Sequence, residues 1–154
     1  MADIVDKATR SQYMAAIKSR GNASTEKKML SLLRNNRLNG WRRHYKIPGT
    51  PDFCWPRQKI ALFVDGCFWH GCPHCYTPPK SNVAYWEDKI DINKRHDRKV
   101  TSKLRREGWS VIRVWECQLK YKRTIVRIER KLLQKGWVDK KRDASSLLEG
   151  GTTY

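Results

Sequence analysis

Acidic residues are scarce in this chain. Fifteen Asp and Glu stand against 33 Lys and Arg over 154 residues, for a formal net charge of +18 and an isoelectric point near 10.1. Solubility alone needs a net charge of only about 2–8, so the excess points to a polyanion, nucleic acid ahead of an acidic membrane surface. Long apolar runs are also missing. No stretch approaches the roughly 20 apolar residues of a membrane span, and Met1–Asp6 lack the basic-then-apolar layout of a secretion signal, so a cytoplasmic protein is expected. There are no internal repeats and no stacking-sheet or helical-repeat signature, which weighs against an RNA-binding role.

The chain nevertheless has the means to fold. It is 39% hydrophobic, with seven Trp, six Tyr and three Phe, too apolar and aromatic for a disordered basic tail. Its length suits one domain. Short helices are expected over 9–20, with Met14 and Ile17 on one face, and from Ser24 or Thr25 to Arg37, with Met29, Leu32 and Leu33 buried. Strands are expected over Trp41–Ile47, Asp52–Trp55, Lys59–Asp65 and Trp109–Trp115. The third is apolar throughout, as suits a strand buried on both faces. A long helix is expected from about Asn82 to Arg106, with Trp86, Ile90, Val100 and Leu104 near one face, and a last one ending at Lys135. From Asp139 onward the chain turns polar and small and reads as a disordered tail. This order predicts an α/β sandwich around a small mixed sheet. Charge is uneven along it: residues 94–142 hold 18 Lys and Arg against five Asp and Glu.

Four kinds of residue carry chemistry. Cys67, Cys72 and Cys75 fall within nine residues, and Cys117 ends a strand that can lie beside Ile60–Asp65. Four thiolates suit a closed, structural Zn²⁺ site, with His74 for Cys75 or Cys54 for Cys117 as alternatives. Asp52 and Asp65 sit at strand ends that a hairpin brings together, where paired oxygen ligands can hold Mg²⁺ against a scissile phosphate. His70, five residues past Asp65 on the clamped loop, can take a proton from an attacking water. Phe68, Trp69 and Trp86 lie on or just after that loop amid basic residues. Exposed rings of this kind stack on bases or wedge between base steps, while buried ones merely pack; exposure is expected for Phe68 and Trp69.

Six separated motifs match in order and spacing. They are Ala2-Asp3 with Asp6–Ser11 and Met14-x-x-Ile17; Pro48-Gly49-x-Pro51-Asp52-Phe53; Asp65–Pro73; Trp86-x-x-Lys89-Ile90; Arg95-x-Asp97-Arg98; and Gly108-Trp109-x-Val111 with Val114–Cys117. Over about residues 1–138 the chain resembles the very short patch repair DNA mismatch endonucleases. The resemblance implies a restriction-endonuclease-like core that nicks duplex DNA 5′ to the thymine of a T:G mispair. By position it makes Asp52 the Mg²⁺-binding carboxylate, His70 the general base and Glu26 a supporting acid, whose plain alternative is a carboxylate favoured by the helix dipole. It also makes Phe68, Trp69 and Trp86 an intercalating wedge, brings Met14 and Ile17 to the minor groove, and places Lys89 near the mispair and Asp97 near the phosphate.

Two departures stand out. The family pattern has Thr-His where this chain has Val64-Asp65, so the second Mg²⁺ ligand is the Val64 carbonyl, the Asp65 carboxylate or both. The thiol loop carries Cys72 where a histidine can stand and is one residue longer. The expected partner is mismatched double-stranded DNA, with repair-pathway proteins beyond it and no membrane, and the expected state is a monomer. A restriction-type or broader mismatch nuclease and a non-catalytic zinc-containing DNA-binding protein are the rival readings.

Overall fold

A computed structural model describes residues 25–139. In chain order these form α1 (25–35), β1 (Arg42–Arg43), β2 (Phe53–Trp55), β3 (Ile60–Asp65), α2 (Val83–Arg106), β4 (Ser110–Trp115), a 3₁₀ turn over Glu116–Gln118, and α3 (Lys122–Gln134). The expected helix over 9–20, with Met14 and Ile17, lies outside the described residues, as do residues 140–154 of the expected tail. Asp139, the first residue of that tail in the sequence reading, is buried.

The strands join in the order β1-β2-β3-β4, the first two pairings antiparallel and the third parallel. All six residues of β3 are buried, as its unbroken apolar run requires for a strand covered on both faces. Its side chains alternate between those faces. Ile60, Leu62 and Val64 join α1, α3, Phe53, Trp55, Ile112 and Val114 in one core. Ala61 and Phe63 pack with Leu104 and Val100 of α2 in a smaller one. By the same alternation Asp65 falls on the α2 face.

Some boundaries moved. The strand expected over Trp41–Ile47 is only Arg42–Arg43, because His44 takes a left-handed conformation (φ 48°) and the Ile47 N–H turns back to the Tyr45 carbonyl at 2.8 Å. α1 stops two residues early. Arg37 turns left-handed (φ 57°) and the Leu38 N–H closes on the Leu33 carbonyl at 3.0 Å, a cap that buries Leu38 beneath the helix end. The turn into β2 needs its glycine: at Gly49 (φ 76°) a Cβ would lie 2.3 Å from Val100 Cγ1. Beyond α3, Trp137 folds back, and its indole N–H and that of Trp55 both donate to the Asn39 carbonyl at 2.8 and 3.0 Å.

Candidate active site and metal centre

The parallel register builds the thiol cluster. Asp65 of β3 is level with Trp115 of β4, so Cys67 and Cys117, each two residues beyond a paired end, emerge side by side. The Cys117 N–H donates to Cys67 Sγ at 3.4 Å. Cys67, Cys72, Cys75 and Cys117 bring their sulfurs within 4.8 Å of one another. Cys72 and Cys117 are 3.8 Å apart, close to the ~3.8 Å edge of a tetrahedron with 2.3 Å metal–sulfur bonds and far beyond a disulfide bond of about 2.05 Å. Burial pushes the Cys67 and Cys117 thiols up; Cys72 is also pushed up by burial, but N–H donors from His74 and Cys75 and bonds to Cys117 and Cys75 bring it below its ordinary value. The set can hold a metal ion. His74 contributes a main-chain bond to Cys72 Sγ rather than its ring. Cys54 is buried within β2, where burial raises its thiol to about 11. The loop seats against α2 through Gly71 (φ 63°), where a Cβ would meet Ile90 Cγ2 at 2.8 Å.

The second cluster gathers beside it. The antiparallel β2–β3 hairpin brings Asp52 across from the end of β3, and its Oδ2 accepts the Val64 N–H at 2.7 Å. Burial pushes the Asp52 carboxyl up to about 7, against the Val64 bond and with further upward pressure from a hydrogen bond to Glu26 and the negative charges of Glu26 and Asp65. Glu26 is also paired with Arg43 at 2.6 Å and His44 at 3.5 Å. Asp65 is raised by burial and pulled down chiefly by Arg113, whose Nη1 donates to both of its oxygens at 2.9 and 3.1 Å. His70 Nδ1 pairs with Asp97 Oδ2 at 2.5 Å. Asp52, Val64, Asp65, His70, Asp97 and Arg113 all line one cavity of about 200 Å³.

The aromatic residues stand differently from the expectation of a freely exposed wedge. Phe68 and Trp69 are half-buried and Trp86 is buried. The three rings close on each other at centroid distances of 5.2 to 6.0 Å. Lys89 is exposed on α2.

Asp97, placed near the phosphate by position, is the orienting partner of His70. Asn93, Thr101 and Arg113 were missed altogether. The first donates to the Trp69 carbonyl at 2.7 Å, and Thr101 Oγ1 accepts from Arg113 at 2.9 Å. A signal for them was present. Along α2 the inward stripe Trp86, Ile90, Asn93, Asp97, Val100–Thr101, Leu104 turns polar at its middle, and Arg113 interrupts an apolar strand.

Oxygen donors and an oriented imidazole at one end of a sheet, in a chain of net charge +18, are the equipment of a phosphodiester-cleaving enzyme. Known proteins agree. The profile of the family described as DNA mismatch endonuclease Vsr matches residues 2–77. The DNA mismatch endonuclease Vsr of Escherichia coli (strain K12) is 42% identical over 122 residues, 78% of this chain and 77% of its own length. Type II nicking enzyme V.XorIIP of Xanthomonas oryzae pv. oryzae is 39% identical over 122 residues, 77% of this chain and 88% of its own. Type II nicking enzyme V.NaeI of Lentzea aerocolonigenes is 46% identical over 66 residues, 43% of this chain and 40% of its own. The chain belongs to the Vsr family of DNA mismatch endonucleases.

Proposed function

We propose that this protein is a zinc-stabilised, Mg²⁺-dependent endonuclease that nicks one strand of duplex DNA 5′ to the thymine of a T:G mispair, the product of 5-methylcytosine deamination, and so starts very short patch repair. The observation that carries the reading is the convergence of Asp52, Asp65, His70 and Asp97 on one small cavity at the end of the sheet. Relatives named as a mismatch endonuclease and as nicking enzymes support it. In this reading the endonuclease domain read as 1–138 on a restriction-endonuclease-like core takes in the buried Asp139 as well, and the chain works as a monomer on nucleoid DNA in the cytoplasm before repair-pathway proteins take over the nick.

The residues present fit both ions. Four closely grouped thiols suit Zn²⁺. Asp52, with the Val64 carbonyl, offers the hard oxygen donors that Mg²⁺ prefers, and the buried negative charge that raises Asp52 is the kind a cation relieves. A Mg²⁺ ion held there supplies Lewis acidity to the scissile phosphate and its bound water.

The protein's own groups do the rest. With Nδ1 committed to Asp97, His70 keeps Nε2 for the proton of the attacking water, and the Asp97 carboxylate favours the imidazolium that results. Glu26 supports Asp52. Phe68, Trp69 and Trp86 open as a wedge at the mispair, where unstacking costs least. Lys89 lies near the mispaired bases, and Met14 and Ile17 meet the duplex from the minor groove.

A nicking panel over all mismatches, in varied flanking sequences and with matched duplex as control, tests this. The expected product is a single Mg²⁺-dependent nick 5′ to the thymine of T:G. Cleavage of both strands of matched DNA would identify a restriction enzyme, and binding without cleavage a non-catalytic module.

A further inference from the structure

Asp65, His70 and Asp97 bring three ligand-type atoms within 4.8 Å of one another, a spacing that resembles a second metal site. A cation of the protein's own already stands there. Arg113 is level with Phe63 in the β3–β4 register, and its side chain, 23% exposed, runs along the α2 face with its guanidinium carbon 4.4 Å from the Phe63 ring centroid. Nη1 donates to both Asp65 oxygens at 2.9 and 3.1 Å and lies 3.7 Å from Asp97 Oδ1. Nη2 donates to the Asp97 carbonyl at 3.3 Å, and Nε donates to Thr101 Oγ1 at 2.9 Å. One planar fork thus grips Asp65 and two parts of Asp97, while the other Asp97 oxygen is left to His70.

We propose that Arg113 is a positioning residue of the nicking site: a built-in cation that keeps Asp65 out of the divalent-metal shell and fixes Asp97 so that the His70 ring holds its orientation. A divalent ion bound directly to Asp65 would have to displace the guanidinium or sit against its like charge. Lysine has the charge but not the fork, so it can satisfy one of these partners and not all of them. The inference rests on the nuclease reading above and assigns the metal to the Asp52 side of the cavity.

The test uses the zinc-loaded full chain and two readouts. The first is Mn²⁺ binding without DNA, followed by electron paramagnetic resonance. Asp65→Asn is expected to leave the Mn²⁺ dissociation constant within about threefold, and Asp52→Asn to raise it about tenfold or more. The second is steady-state nicking of a T:G duplex. Arg113→Gln is expected to lower kcat by about thirtyfold or more with KM within about threefold. Arg113→Lys should recover only a small part of the loss, and added guanidinium ion should restore a share of the rate to Arg113→Ala but not to wild type. Thr101→Val, which removes a single prop, should lower kcat by about threefold to tenfold and keeps the question open to measurement if Arg113 variants do not fold. Wild-type kcat in Arg113→Gln, an unchanged kcat in Thr101→Val, or a loss of Mn²⁺ affinity in Asp65→Asn equal to that in Asp52→Asn would overturn the proposal. A wild-type chain that nicks no T:G duplex would instead overturn the nuclease reading, while the Mn²⁺ comparison still decides where the metal sits.

Discussion

The two faces of the sheet have divided stability and chemistry between them. Toward α1 and α3 the strands close over a large core containing Phe53, Trp55, Ile60, Leu62, Ile112 and Val114. Toward α2 the buried cluster on the sheet is the small one of Ala61, Phe63 and Leu104, and the space beside it holds Asp65, Asp97, Thr101 and Arg113. Charge in such a place is tolerated only when paired and hydrogen-bonded, and no described buried side-chain polar atom lacks a partner. One apolar face can thus supply the folding energy that lets the other keep a raised carboxylate and a network of ions. The thiol cluster stands at the end of the sheet and brings the loop between β3 and α2 against Cys117 just beyond β4.

The sharpest way to break this division is to remove the zinc proposed for the thiols. Structural zinc sites contribute apparent binding energies of about 10–16 kcal/mol in small peptides, so stripping zinc, or Cys117→Ser, should unfold the loop and abolish nicking even with excess Mg²⁺; Cys54→Ala should keep its zinc. Elemental analysis, circular dichroism and a nicking assay read the three outcomes.

Next in size, Asp52→Ala should reduce nicking by about a thousandfold or more, since a metal ligand supports several kcal/mol of transition-state stabilisation. DNA affinity by fluorescence anisotropy should change little, and a variant that nicks at the parent rate removes Asp52 from the reaction. On the opposite face Leu62→Ala should cost about 2–5 kcal/mol of stability, read by denaturant melts. Its KM and mismatch preference should stay near wild type under native conditions. If they do not, the faces are not independent.

A smaller effect follows pH. The folded Asp52 carboxyl is raised from 3.8 to about 7, so without Mg²⁺ the fold binds an extra proton between those values and loses stability as pH rises through that window. Melts of the Mg²⁺-free chain should show that slope, and Asp52→Asn should flatten it. Because the ion competes with the same proton, Mg²⁺ affinity by calorimetry should rise about tenfold per pH unit below about 7 and level off above it.

The mildest test concerns the exterior. Arg98, Arg105 and Arg106 line an open groove of about 630 Å³ that runs from Asp97 and Arg113. Replacing Arg105 and Arg106 together with Gln should lower the salt slope of duplex binding by about two, near 0.9 per phosphate contact, without changing mismatch preference. Trp69→Ala should do the converse, eroding preference for T:G at an unchanged salt slope.

Much of this was legible from the residues alone. α2 and α3 are legible from their hydrophobic period, β3 from its unbroken apolar run and the three loop thiols from their spacing, because these signals are local. Asp52, Asp65 and His70 stand out from strand ends and loop position, while Glu26 and Asp97 come only through resemblance. Trp41–Ile47 misled because nothing in its composition marks His44 as left-handed. The half-burial of Phe68 and Trp69 was missed because it depends on where α2 carries Trp86.

What the sequence by itself determined is the inventory: a strongly basic charge, a loop of closely spaced thiols of the kind that can hold a metal ion, one strand covered on both sides, and a set of acids with one well-placed imidazole. Only the tertiary structure decided the pairings. Cys117 completes the thiols because parallel strands end level with each other. Asp97 belongs to His70, and Asp65 to Arg113, because the polar middle of α2 comes to rest on that end of the sheet. Partners 27 and 48 positions apart leave no local period to read, since strand register and helix docking alone set the distances between them.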